Sequence, residues 1–240
     1  MAKEIKVTAD KIYKRKKGYS KLKIVLGIVF LILIFSFIIL SLIYKGGRFT
    51  VTLDRNLALD NNIVIYDDLE TKEGKRKLEA KDLDFMDNIS IDWIPSNINN
   101  ESDGSHNGDN YIAYTFYVAN QGNESIDYWY SIIIDDVIKN VDEAVRVMIF
   151  LNDEKTVYAK KNSYTGMEEK DTKSFYADDE AVLENRKGFT PGDIDKFTVV
   201  IWLEGDDPDC VDSILGGEIK MHMEIREEHK GEENGKETKE

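Results

Sequence analysis

The sequence contains few of the residues that cross-link or rigidify small domains or bind metal ions: one cysteine, three prolines and three histidines in 240 residues. One cysteine cannot form a disulfide within the chain, so a folded domain must be held together by its hydrophobic core. Extracytoplasmic animal domains usually carry disulfides, so this shortage favours a bacterial surface.

Motifs of catalysis are also missing from the sequence. There is no H-E-x-x-H, and His106, His222 and His229 are predicted to lie in a Gly-rich loop, on a strand face and in a tail, respectively. The sequence contains no G-x-S-x-G and no glycine-rich phosphate loop, and Ser20 matches S-x-x-K only at the edge of an apolar run. Acidic neighbours of Cys210 disfavour a reactive thiolate, so we expect a buried thiol. The sequence therefore predicts no catalytic, cofactor-binding or metal-binding residues and no cofactor.

The most prominent segment is residues 24–44, IVLGIVFLILIFSFIILSLIY, with no charged residue. At about 1.5 Å per residue, this run spans the roughly 30 Å hydrocarbon core of a bilayer. A buried core helix would need a large helical domain around it, which the rest of the chain does not indicate. No small-x-small cleavage site follows the run, so we predict an uncleaved signal anchor that contacts plasma membrane lipid.

Charge differs sharply on the two sides of this run. Residues 1–23 carry nine Lys or Arg against Glu4 and Asp10, whereas residues 24–240 carry a formal charge of −21. A basic run beside a membrane span typically stays cytoplasmic, and we prefer this to a nucleic-acid-binding interpretation. The expected organisation is a basic cytoplasmic segment (1–23), a transmembrane helix (24–44), an extracytoplasmic domain (45–225) and a disordered acidic tail (226–240) in the bacterial plasma membrane.

The domain itself shows the two-residue alternation of β-strands, with turns rich in Gly, Asn and Asp. Strands are predicted at residues 49–53, 63–66, 89–93, 111–118, 127–134, 144–151, 156–160, 197–203 and 218–225. Residues 70–82 lack an apolar face and are predicted to form a solvated loop or short helix. Asp207, Pro208 and Gly216 favour one short helix within 206–217. The predicted fold is mainly β, an antiparallel sandwich.

Two acidic stretches deserve comparison with calcium loops. In residues 103–109, Asp103, Ser105 and Asn107 occupy the first, third and fifth positions of such a loop, with Gly108 sixth. The twelfth position is Tyr114, which lacks the bidentate carboxylate, so we prefer a hairpin turn. The second stretch, residues 206–209, is explained by helix capping.

Four phrases carry a resemblance to known proteins: YIAYTFYVANQGNESIDY, DEAVRVMIFLNDEKTVYAK, FTPGDIDKFTVVIWLEGDDPDC and GGEIKMHMEI. Together they resemble a group of single-pass surface proteins of low-GC Gram-positive bacteria and, more distantly, the TasA and camelysin family of matrix proteins. The resemblance covers residues 105–225, and the residues before it do not match. It implies a jelly-roll-like sandwich that acts at the cell surface or in extracellular matrix.

Three functional hypotheses follow. The first is a non-enzymatic, membrane-anchored structural, matrix or adhesion protein that associates with itself or with an envelope protein. The second is a ligand-binding or calcium-binding sensory or accessory ectodomain of an envelope complex. The third is an enzyme, which would need a pocket that the sequence does not reveal. None of the three involves nucleic acid.

Overall fold

A computed structural model describes residues 9–44, 49–83 and 85–227. The chain divides into two compact units, Met1–Gly47 and Arg48–Glu240. His229 and nearly all of the predicted tail, residues 228–240, lie outside the described residues, as do residues 1–8.

The first unit contains one long helix, α1 (Ala9–Tyr44). Its stretch Lys21–Leu40 is long and apolar enough to cross a membrane, and none of that stretch is buried within the structure. The helix begins well before the predicted span because the basic residues that precede the span are good helix formers and no proline interrupts them. An apolar N-terminal helix is thus confirmed, and it is compatible with a single-pass membrane protein.

The second unit is mainly β, as predicted. Its strands are β1 (Thr50–Leu53), β2 (Ile63–Tyr66), β3 (Lys77–Glu79), β4 (Gly104–Ser105), β5 (Tyr111–Asn120), β6 (Ile126–Ile138), β7 (Val145–Leu151), β8 (Glu154–Ala159), β9 (Lys173–Ser174), β10 (Glu180–Phe189), β11 (Ile194–Leu203) and β12 (Glu218–Arg226). A short helix, α2 (Arg55–Leu59), follows β1, and four 3-10 turns lie at Ile91–Trp93, Ile98–Asn100, Val141–Glu143 and Asp212–Ile214.

The strands form two sheets. The five-stranded sheet has the order β10-β6-β12-β1-β3, and the seven-stranded sheet has the order β2-β5-β11-β7-β8-β9, with β4 also paired to β5. The prediction of a purely antiparallel arrangement is wrong, because β1 pairs with β12 and β8 pairs with β9 in parallel. Side-chain alternation is the same in parallel and antiparallel strands, so the sequence pattern does not specify the pairing direction.

Several local predictions also differ from the structure. Residues 89–93 form the 3-10 turn Ile91–Trp93 instead of a strand, and only Ile89 bridges to Glu204. The helix expected within 206–217 is reduced to Asp212–Ile214. The carboxylate of Asp207 accepts the backbone N–H of Asp209 at 2.7 Å, so it closes a turn and does not cap an α-helix. Within residues 70–82, predicted as a solvated loop or short helix, Lys77–Glu79 form β3 with Leu78 buried. Strands β4, β9 and β10 were also not predicted, since β4 and β9 have two residues each and charged residues interrupt the alternation of β10.

Side chains of both sheets share one hydrophobic core. The inner residues of β11, Phe197, Val199 and Ile201, pack in a cluster with Tyr130 and Ile132 of β6. The rings of Tyr130 and Phe197 meet edge to face, with centroids 5.1 Å apart. This contact joins the five-stranded sheet to the seven-stranded sheet through apolar surface.

The opposite, outer face of the seven-stranded sheet is apolar as well. Val200 and Trp202 of β11 are fully buried there and pack with Met148 of β7. They are covered by residues 85–106, hereafter the cover segment, which contributes Ile89, Ile94 and Ile98 to the same cluster. The residues before the resemblance therefore shield a face of the sheet that would otherwise meet water.

Two of the turn phrases that carry the resemblance meet at one corner of the domain. The backbone N–H of Asn120 donates to the carbonyl of Asp193 at 3.0 Å, and the N–H of Gly192 donates to the carbonyl of Asn120 at 2.9 Å. Gly192 has a φ of +89°, a conformation that side chains disfavour. Hydrogen bonds from Thr190 lower the pKa of Asp193. Sequence phrases 70 residues apart thus describe one structural feature.

A buried carboxylate, Asp195 of β11, joins the two sheets through hydrogen bonds. Its Oδ2 accepts the hydroxyl of Tyr128 at 2.7 Å and Nε of Arg186 at 2.9 Å, both from the five-stranded sheet. Its Oδ1 accepts Nδ2 of Asn152 at 3.1 Å. Burial, and next the charge of Asp195, raise the pKa of Tyr128 well above its ordinary value.

We expect Asp195→Ala to lower the free energy of unfolding by roughly 3 kcal/mol, because it leaves a buried hydroxyl and a partly buried guanidinium without their acceptor. Urea denaturation of the full chain in detergent micelles measures this. The matched control is Asp153→Ala, which removes an exposed acid from the adjacent β7–β8 turn. Equal unfolding midpoints for the two variants would contradict the role given to Asp195.

Candidate functional site

A cluster of charged side chains surrounds Arg146 of β7. Its neighbours Val145 and Val147 face the inner core, so alternation places Arg146 on the outer face of the sheet. The residue is only 4% exposed. A buried guanidinium requires acidic partners, and two loops, residues 160–172 and 204–210, supply them.

Two carboxylates pair with this guanidinium, and a third lies beside them. One ligand oxygen from each of Glu169, Asp207 and Asp209 lies within 4.8 Å of the other two. Nη2 of Arg146 donates to Oδ2 of Asp207 and lies 3.9 Å from Oε2 of Glu169. Asp207 and Asp209 are both buried, so the group of four side chains carries a formal charge of −2 in a site largely shielded from water.

Most carboxylate oxygens in the cluster also accept hydrogen bonds from the protein. Oδ2 of Asp209 accepts the N–H of Ser163 at 2.8 Å, and its Oδ1 accepts the Ser163 hydroxyl. Oε1 of Glu169 accepts Nδ2 of Asn162 at 3.0 Å. The Ser163–Asp209 bonds join the two loops to each other, and the contacts of Arg146 join both loops to β7. Together they stabilise the buried charges. The arrangement acts as an anchor for two loops, and its carboxylates are also the ligand type that binds calcium.

We expect Arg146→Gln to lower the free energy of unfolding by roughly 3 kcal/mol or more, because Asp207 and Glu169 would lose their positive partner. Limited proteolysis should then cut residues 160–172 and 204–210 faster than in the wild type. Lys170→Gln is the control, since the Lys170 side chain is 93% exposed. Unchanged urea midpoint and cleavage rate in Arg146→Gln would refute the anchoring role.

The first calcium-like stretch is part of a hairpin. Gly104 and Ser105 form β4, which pairs with β5. The carboxylate of Asp103 accepts the Tyr117 hydroxyl at 2.6 Å and the backbone N–H of Leu69 at 3.0 Å. The hydroxyl of Ser105 accepts the N–H of Lys81 at 2.7 Å, and the side-chain Oδ1 of Asn107 accepts the N–H of Ala113 at 3.0 Å. The oxygens of Asp103, Ser105 and Asn107 thus accept hydrogen bonds from the fold itself.

The histidines and the cysteine lie in separate places. His222 sits on β12, with Nδ1 2.8 Å from Asp135 and Nε2 3.4 Å from Glu224. His106 is the last residue of the cover segment, on the outer face of the other sheet, and its side chain is 6% exposed. Cys210 is half-buried, and its sulfur accepts Nδ2 of Asn88 at 3.2 Å. Among the described residues these side chains form no nucleophile and base pair.

Part of this charged cluster is visible in the sequence, and the rest is not. Asp207 and Asp209 belong to the acidic stretch that was weighed for calcium and explained by capping. Arg146 and Glu169 were not singled out. One signal for Arg146 was available: it is a lone charge within the strand VRVMIFL, and a charge in a buried strand must be paired.

Comparisons with known proteins do not assign a family. No protein-family model matches the chain, and no curated protein matches it. Among solved structures, the chain is similar over 67% of its length to a β-glucosidase from Kluyveromyces marxianus in complex with glucose, with 14% identity and a TM-score of 0.23. The chain spans 15% of that enzyme's chain, and a similarity of this extent carries no argument about fold or activity.

Proposed function

We propose that this chain is a non-enzymatic, membrane-anchored structural or adhesion protein of a bacterial cell surface. The observation that carries the proposal is an unburied apolar helix of membrane-spanning length joined to a large acidic β-rich unit. In residues 49–227, 39 Asp and Glu outnumber 18 Lys and Arg, a formal charge of −21. Positive charge before the helix favours a cytoplasmic N-terminus and an extracytoplasmic β-rich unit.

The way in which the β-rich unit uses its buried acids supports a structural role. Asp195 bonds Tyr128 and Arg186 of the other sheet, and Asp207 and Asp209 hold surface loops in place. Catalytic carboxylates face a cleft and a substrate, whereas these carboxylates are occupied by donors of the protein itself. A structural domain that acts through its outer surface needs carboxylates only for such stabilising bonds within the fold.

We further infer that the two sheets form a jelly-roll-like sandwich, in keeping with the resemblance to Gram-positive surface proteins and the TasA and camelysin family. The shared inner cluster and the ring contact between Tyr130 and Phe197 support this architecture. In a sandwich, the side chains of two inner faces interdigitate in this way.

The test is display on intact bacterial cells. We expect added protease to remove the β-rich unit from cells that express the full chain, and we expect those cells to bind each other or purified wall polymers more strongly than cells expressing residues 1–47 alone. A variant with Glu at positions 14–17 should lose this orientation, because the cytoplasmic positive charge is removed. Protection from protease, or equal binding by the two cell types, would overturn the proposal.

A second candidate, a calcium-responsive ectodomain, is favoured by one observation. The oxygens of Glu169, Asp207 and Asp209 converge within 4.8 Å, and one guanidinium balances only part of their charge. Calcium binds such carboxylate groups, and an added cation would reduce the remaining repulsion.

Thermal melting of the full chain in micelles distinguishes this candidate. A calcium concentration 100 times the Kd stabilises a folded protein by about 2.7 kcal/mol, which raises the melting temperature by several degrees. The candidate therefore predicts a higher melting temperature in millimolar calcium than in chelator, with a smaller difference in Glu169→Gln. Identical melting of the wild type in both conditions would exclude it.

A further inference from the structure

The buried histidine His106 has a position that the proposed function does not explain. It lies between β4 and β5, where its backbone N–H donates to the carbonyl of Ala113 at 2.9 Å. Its ring is shielded from water on the outer face of the seven-stranded sheet. Nε2 lies 2.9 Å from the hydroxyl of Thr115, and that hydroxyl lies 2.7 Å from the hydroxyl of Thr198. Both threonines are fully buried, so neither hydroxyl can form a hydrogen bond with water.

The second ring nitrogen has no hydrogen-bond partner. Nδ1 of His106 is buried, and the closest acidic group is Oε2 of Glu101, 3.6 Å away. A neutral imidazole has one donor and one acceptor nitrogen. The facing carboxylate favours the hydrogen on Nδ1, so Nε2 accepts the Thr115 hydroxyl. A proton added to Nε2 would make that nitrogen a donor, and the Thr115 hydroxyl would have to turn towards Thr198.

Charged groups face His106 from two sides. Glu101 and Asp103 belong to the cover segment, and Lys196 belongs to β11. Burial lowers the pKa of His106, and Lys196 acts in the same direction, while Glu101 and Asp103 oppose the change. The neutral ring is therefore the form that this packed site stabilises.

The cover segment is held differently at its two ends. Ile89, Ile94 and Ile98 bury apolar surface, but residues 99–106, NNESDGSH, contain no hydrophobic residue. Polar contacts attach that part: β4 pairs with β5, Nζ of Lys196 donates to Oδ1 of Asn100 at 2.9 Å, Asp103 accepts the Tyr117 hydroxyl, and His106 meets Thr115. A change of charge at His106 thus acts where no buried apolar contact of the segment resists detachment.

We propose that His106 is a pH-sensitive latch, which holds residues 99–106 on the outer face of the seven-stranded sheet while it is neutral and releases them when it gains a proton. Release uncovers Thr115, Thr198 and the adjoining apolar surface of the sheet. Acidification outside the membrane would then change which surface the β-rich unit presents.

The direction of the pH effect follows from linkage. A histidine whose pKa is lowered in the packed state binds protons more readily when the segment is detached. Attachment is therefore complete above the pKa of a free histidine, about 6.5, and is lost as the pH falls below that value towards the lower pKa of the packed ring.

Amide hydrogen exchange of the full chain in micelles, followed by mass spectrometry and corrected for the intrinsic effect of pH, tests the latch. Between pH 7.5 and 5.5, protection of wild-type peptides within 99–106 should fall by up to about tenfold, because a free histidine with a pKa of about 6.5 is roughly ten times more protonated than neutral at pH 5.5. Peptides of β6 and β12 should keep their protection. In His106→Gln the protection of 99–106 should not depend on pH, whereas the control His222→Gln should behave as the wild type does.

A ring titration of the wild type by NMR keeps the test valid if His106→Gln does not fold. The His106 signal should titrate below pH 6.5, in the range where residues 99–106 lose protection. Three results would each overturn the latch. In the wild type, protection of these residues could be independent of pH; in His106→Gln, it could still depend on pH; or the ring could titrate above pH 6.5.

Discussion

Both faces of the seven-stranded sheet are apolar, and a different part of the chain has to shield each of them from water. The inner face packs against the five-stranded sheet, with Phe197 against Tyr130. The outer face, with Trp202 and Val200 fully buried, is covered by a segment with little regular structure of its own. Burial of apolar area is the main favourable term in folding, so the cover segment is part of the core and not an appendage.

This constraint explains which features the sequence could predict. Alternation in Tyr111–Asn120 and Ile194–Leu203 specifies strands, and their nearly continuous apolar character shows that both faces are covered. The sequence does not show what covers the outer face. Ile89, Ile94 and Ile98 are spaced as neither helix nor strand, because they follow an irregular path across another element. Two of their partners, Met148 and Trp202, are at least 50 residues away in the sequence, and periodicity carries no information about such contacts.

The charged cluster illustrates the same limit. The acidic stretch at Asp207 and Asp209 is recognisable from its own residues, but helix capping, the reason that its neighbours suggest, is incorrect. The actual reason is a guanidinium on β7 and a glutamate in another loop, brought together only by the fold. Pairing direction was hidden for a related reason, since β1 and β12 are almost the full length of the domain apart in sequence.

The parallel pairing of β1 with β12 places the first and last strands of the β-rich unit side by side. Thr50 lies opposite His222 and Leu53 lies opposite Ile225. Because the strands are parallel, the start of β1 and the end of β12 lie at opposite ends of the pair. A mechanical pull on these two ends would load the hydrogen bonds between the strands in shear, all at once, instead of opening them one after another. For a body exposed to flow or traction, this arrangement gives resistance to force that its equilibrium stability alone would not reveal.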